Sequence, residues 1–181
     1  MEEIKIRGFE VVSEYKDKGI HLPKRQSKNA AGYDFEAAED VTVYPVIYNI
    51  ATYVVKKAAS LITGEPVELN MGVISPTLVN TGVKAYMQED EALFLYNRSS
   101  NPLKRGLVLA NSVGVVDSDY YNNPDNEGHI MFAFYNFGIF PVTIKKGERI
   151  GQGIFKKFLK ADNDNAGGDR KGGFGSTGGH E

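Results

Sequence analysis

Arg98, Ser99 and Ser100 stand side by side, one residue after an apolar run at 91–96. A guanidinium offers a planar fork of donors and a hydroxyl offers a short one, a set suited to phosphate oxygens. On its own, NRSSNPLKRG (97–106) reads equally well as a polar loop. Asn111 and Asp117 lie six residues apart in NSVGVVDSDYYNN, and Tyr120 follows three residues later. SVG reads as a tight hairpin whose backbone amides could meet a flat polar ligand. A carboxylate at the mouth of such a hairpin could orient a water as general base. Alternatively, Asp117 and Asp119 only solvate a turn. Asp34, in AGYDFEAAED (31–40), follows a Gly-Tyr turn and either caps it or serves a site. Arg149 and Gln152 in KKGERIGQGIF (145–155) read by themselves as a turn leading into a strand. The last such stretch, RKGGFGSTGG (170–179), sets one ring, Phe174, among glycines, with Arg170, Lys171, Ser176 and Thr177 around it. A run this rich in glycine buries too little apolar surface to fold alone.

The elements that must position these groups read as short strands. VTVYP (41–45) alternates, and EALFLY (91–96), GLVLA (106–110), HIMFAFYNF (129–137), PVTI (141–144) and IGQGIF (150–155) are short apolar runs. Gly, Pro, Asn or Asp bounds most of them, which predicts an all-β fold with tight turns, a sandwich or jelly roll. One stretch departs from this. YNIATYVVKKAASLITGEP (48–66) has apolar residues at Tyr53, Val54, Ala58, Leu61 and Ile62, with Gly64 and Pro66 as a stop. That spacing predicts one amphipathic helix, a strand over 50–55 being the alternative. The organisation expected is a body over 1–161 with an insertion at about 46–74, followed by a flexible arm over 162–181.

Composition narrows the function classes. The chain has 181 residues, 41% hydrophobic, enough for one domain with a real core. A net charge of −2 gives no global basic field for nucleic acid. There is no cysteine, so disulfides and thiolate metal sites are excluded. The opening MEEIKIRG is acidic and unlike a signal peptide, and no run approaches a membrane span, so a cytoplasmic protein is expected.

In this order, the segments resemble the five motifs of the homotrimeric dUTPase family: AGYDFEAAED, NRSSNPLKRG, NSVGVVDSDY, GERIGQ and RKGGFGSTG, from Ala31 to Gly178. The resemblance implies a distorted jelly-roll barrel, assembly as a trimer, and active sites shared between subunits. It implies hydrolysis of dUTP to dUMP and pyrophosphate, with Mg²⁺ held by the triphosphate and water rather than by a protein cage. Asp117 matches the aspartate that orients the attacking water. Tyr120 matches the ring under the sugar that excludes a 2′-hydroxyl. Asn111, Gly114 and Val116 match the hairpin that reads uracil. Arg98, Ser99, Ser100, Arg149 and Gln152 match substrate-contacting positions, and Asp34 a supporting one. In the arm, Phe174 would stack on uracil, Gly175, Ser176 and Thr177 would wrap the phosphates, and Arg170 would meet the γ-phosphate.

The chain departs from the family pattern in three places. Arg170 and Phe174 are one residue closer than usual, so either Arg170 or Lys171 could take the phosphate role. The insertion at 46–74 and a longer turn, NNPDNEG (122–128), add surface; the first invites a protein partner. The related dCTP deaminases carry a glutamate where Ala133 stands, which leaves deamination without a base. The arm has one Arg and one Lys against Asp162, Asp164, Asp169 and Glu181, so its charge opposes direct nucleic-acid binding.

Overall fold

β-branched and aromatic runs punctuated by glycine give short antiparallel strands. The computed structural model describes residues 5–64 and 74–167. β1 (Gly8–Val11), β2 (Tyr33–Glu36) and β3 (Val41–Val43) precede a helix, α1 (Val46–Thr63). β4 (Thr77–Asn80), β5 (Val83–Tyr86) and β6 (Glu91–Asn97) lead to a short helix, α2 (Ser100–Arg105). β7 (Leu107–Leu109), β8 (Val113–Asp117), β9 (Met131–Asn136), β10 (Val142–Ile144) and β11 (Arg149–Lys157) follow. A four-stranded sheet, β2-β11-β6-β8, packs with a three-stranded one, β4-β9-β7, and the pairs β1-β5 and β3-β10 flank them. This is the expected all-β jelly-roll architecture.

Alternation along the strands builds the core. β6 sends Leu93 and Leu95 inward and keeps Phe94 and Tyr96 half-exposed on the other face. Phe35, Leu93, Phe132, Phe134, Ile144 and Ile150 are all sealed from solvent. The Gly-Gln-Gly of β11 follows from this packing. A Cβ on Gly151 would lie 2.1 Å from the Phe132 ring, so only glycine lets that ring press against the strand. Gln152, between the two glycines, is left on the outer face.

The helix predicted over 48–64 is present as α1, and Gly64 ends it in the left-handed conformation at φ 75°. The alternative strand over 50–55 is not formed. No residue of α1 is buried, and Leu61 and Ile62 are 82% and 89% exposed. Its apolar stripe is therefore real but uncovered among the described residues. The segment 97–106, read as a loop, instead contains α2. The run 76–87 forms two strands broken at Gly82, whose φ is 69°. The stretch read as a tight hairpin is a tight turn, but its arms belong to different sheets: β7 pairs with β9 and β8 with β6. Core closure pulls the two arms onto opposite layers.

Candidate active site

The outer face of the four-stranded sheet carries two of the candidate residues, Asp34 and Gln152. Asp34 on β2 stands opposite Gln152 on β11, Gln152 opposite Tyr96 on β6, and Tyr96 opposite Val113 on β8. Cross-strand partners share a face, so Asp34, Gln152, Tyr96 and Val113 form one row. Gly32 clears the space beside it: a Cβ there would sit 2.2 Å from Gln152 Oε1. Asp34 thus belongs to a strand rather than capping a turn.

Arg149 joins this row through a bulge. Arg149 pairs with Glu36 but Gly151 pairs with Phe35, so Ile150 is an extra residue on β11. A bulge of this kind re-aims the neighbouring side chain. Arg149 Nη1 donates to Asp34 Oδ2 at 3.0 Å. Arg98 Nη1 in turn donates to the Arg149 carbonyl at 3.0 Å. Two guanidinium groups and an amide are therefore held beside one carboxylate at one end of the sheet, an arrangement that suits polyanionic oxygens.

Sequence reasoning missed what holds Arg98 there. Asn101 is 2% exposed, and its Nδ2 donates to Asn97 Oδ1 at 2.8 Å and to the Ile150 carbonyl at 2.9 Å. That pins the start of α2 to β11. Arg105 closes the other end of α2 through an ion pair with Glu148. Ser99 leads into α2, exposed and without a capping bond from its side chain, and Ser100 is half-buried. The signal available was NRSSN itself, an asparagine in a polar stretch.

The remaining candidates lie along β7 and β8. Asn111 is exposed on the turn, and Val113 N donates to its carbonyl at 2.6 Å. Gly114 and Val116 are buried, in register with Leu95 and Leu93. Asp117, exposed at the end of β8, stands opposite Ala92. Tyr120 is 6% exposed within the core cluster. Along β6 and one residue beyond it, the six steps from Ala92 to Arg98 span about 20 Å, so Asp117 and Arg98 are at opposite ends of the sheet. The face between them is largely apolar: Val115 is 56% exposed, Phe94 and Ile154 half-buried, and the Lys156 ammonium lies 5.1 Å from the Phe94 ring centre. Arg170, Lys171, Phe174, Gly175, Ser176 and Thr177 lie outside the described residues.

Among the described residues no three His, Asp or Glu side chains converge on a point that could take a metal ion. The donors at the Arg98 end fit anionic oxygens, and hence a cation that arrives on a phosphate chain. No helix among those residues is long and apolar enough to cross a membrane.

The dUTPase family profile matches residues 65–178. A deoxyuridine 5′-triphosphate nucleotidohydrolase of Lactococcus lactis is 50% identical over 177 residues, 97% of this chain and 99% of that one. The chain belongs to the dUTPase family. As a dUTPase it is a hydrolase of nucleotide metabolism. The crystal structure of the Streptococcus mutans dUTPase superposes with a TM-score of 0.67 at 43% identity, covering 86% of this chain and 99% of that one. A variant dUTPase of phage phi11 of S. aureus, described as coordinating a structural Mg(II) ion, has a TM-score of 0.59 at 17% identity, covering 88% and 95%. That last likeness is one of fold alone.

Proposed function

We propose that the chain hydrolyses dUTP to dUMP and pyrophosphate, in sites that adjoining copies of a homotrimer build together. The observation that carries this reading is the separation of Asp117 from Arg98. With a base and a phosphate clamp about 20 Å apart along one sheet, copies that met across the apolar outer face would bring the two ends together on one nucleotide.

In this reading Asn111, with the backbone of Gly114 and Val116, meets the uracil edge. Buried polar groups matched to uracil would be left mispaired by cytosine, which discriminates strongly. Asp117 accepts the proton of a water whose oxygen attacks the α-phosphorus, and pyrophosphate leaves. Such transfers need alignment and charge neutralisation more than covalent help. Arg98, Ser99, Ser100 and Gln152 hold the phosphates, and Arg149, fixed by Asp34, adds a constant positive charge. Mg²⁺, when bound through the triphosphate and water, neutralises charge on the phosphate oxygens. The arm, 162–181, closes over the site: Phe174 stacks on uracil, Gly175, Ser176 and Thr177 donate to phosphates, and Arg170 or Lys171 meets the γ-phosphate. The reaction fits the cytoplasm, and no direct contact with nucleic acid is part of it.

The test is pyrophosphate release with Mg²⁺ from dUTP, dCTP, dTTP and UTP in parallel. Release from dUTP alone is expected. Equal release from UTP would remove the sugar gate, and none from dUTP in a folded sample would overturn the reading.

A second reading concerns the insertion 46–74. The uncovered apolar stripe of α1 supports a contact between this segment and another protein surface. A chain lacking 46–74 should then change its mass in light scattering if the surface is another copy of itself. If the oligomeric state is unchanged, a contact with another copy is excluded.

A further inference from the structure

The longer turn after Tyr120 has its own architecture, and it converges on one side chain. Asn126 Nδ2 donates to the Tyr120 hydroxyl at 2.7 Å, and that hydroxyl donates to the His129 carbonyl at 3.1 Å. Asn126 Oδ1 accepts from Gly128 N at 3.1 Å and from Asn123 Nδ2 at 2.8 Å. Asn123 Nδ2 also donates to the Tyr120 carbonyl at 2.9 Å. Gly128 lies so close that a Cβ would fall 2.6 Å from the Tyr120 carbonyl oxygen. The turn is fixed from outside as well: Glu127 accepts from Lys84 Nζ at 2.5 Å and from Ser13 N at 2.9 Å. Tyr120 is thus gripped at both its hydroxyl and its carbonyl by a segment that packs against β5 and the end of β1.

We propose that Asn126 is a positioning residue for substrate selection: through the Tyr120 hydroxyl it holds the ring at the height that excludes a 2′-hydroxyl. This rests on the sugar-gate reading of Tyr120 given above. A tyrosine ring held at one edge only by packing can tilt, whereas a hydroxyl fixed between a donor and an acceptor cannot do so without breaking a buried hydrogen bond. The added turn is therefore part of the selectivity apparatus rather than a surface extension.

The experiment measures kcat/KM for dUTP and UTP in Asn126→Ala, Tyr120→Phe, their double variant and Tyr120→Ala, with Tm recorded for each. Loss of one buried hydrogen bond corresponds to about tenfold, so the dUTP/UTP ratio should fall about tenfold in Asn126→Ala and at least as far in Tyr120→Phe, which also loses the bond to the His129 carbonyl. The double variant should fall no further than Tyr120→Phe, because that change already removes the Asn126 bond along with the one to His129. A purely structural role would lower Tm and slow both substrates alike, with the ratio unchanged, and that result would overturn the proposal. Where Asn126→Ala does not fold, Tyr120→Phe, which keeps the ring, decides by the same ratio. If Tyr120→Ala relaxes selectivity and the other variants do not, only the role of Asn126 falls. If Tyr120→Ala leaves the ratio unchanged, the sugar-gate reading falls and the proposal with it.

Discussion

Asp117 is the residue on which the proposed chemistry turns. Asp117→Asn keeps the size and removes the base, so turnover of dUTP should drop roughly hundredfold or more. Binding of a non-hydrolysable dUTP analogue, followed by calorimetry, should persist. Normal turnover would mean that another group takes the proton. Elsewhere, His129 and Glu127 are among the side chains that make stability depend on pH. Burial holds the His129 imidazole below its ordinary range, and its Nε2 accepts from Gly82 N at 2.9 Å. The unfolded chain therefore binds a proton more readily than the folded one. Stability should be full above the ordinary histidine pKa of about 6.5 and decline as pH falls through it. Glu127, bonded to Lys84 and Ser13, is held down to about 2. Its contribution is present above the usual carboxylate range and is lost as pH falls from there toward about 2. Urea melts across pH would show both steps, and His129→Gln, which keeps an acceptor for Gly82 N, should remove the first.

At the scale of elements, β11 and α1 are opposites. β11 lies against core rings with no room to spare. Gly151→Ala drives a methyl into Phe132, and overpacking of this kind costs about 1–3 kcal/mol, measurable by denaturant unfolding. α1 carries large apolar residues that the described residues do not cover. Leu61→Lys and Ile62→Lys should change the stability of an isolated chain by no more than about 0.5 kcal/mol, because no packing is lost. A large fall in Tm in the assembled protein would show that these residues are covered there. The 3.6-residue periodicity and the Gly64 stop made α1 legible in the sequence. α2 was not legible, because NRSSNPLKRG has the composition of a loop and its order comes from Asn101 bonding to β11, a strand far along the chain.

At the scale of the whole molecule, the proposed assembly puts the two ends of the sheet in different sites. Asp117→Asn and Arg98→Ala should each be inactive alone. Refolded together they should regain activity, about a quarter of sites being intact on random mixing, because each site takes its two residues from different copies. A mixture as inactive as its components would place both residues in one site of one chain. Removing the arm before Arg170 should leave the fold and Tm intact while activity falls steeply.

The sequence by itself marked the runs that form β3, β6, β7, β9, β10 and β11, since alternation and turn residues act locally, and it determined the family, since five motifs in order need no coordinates to be read. It also marked Arg98, Gln152 and Asp117 as chemical groups. Only the tertiary structure decided how these stand to one another. The Arg149–Asp34 pair depends on a bulge at Ile150, and the placement of Asp117 opposite Ala92 depends on strand register. Both arise from pairing between segments distant in the chain, and local propensity carries no information about which residue faces which. The same holds for Asn126, whose turn looks like solvated loop until the fold brings its amide to the Tyr120 hydroxyl.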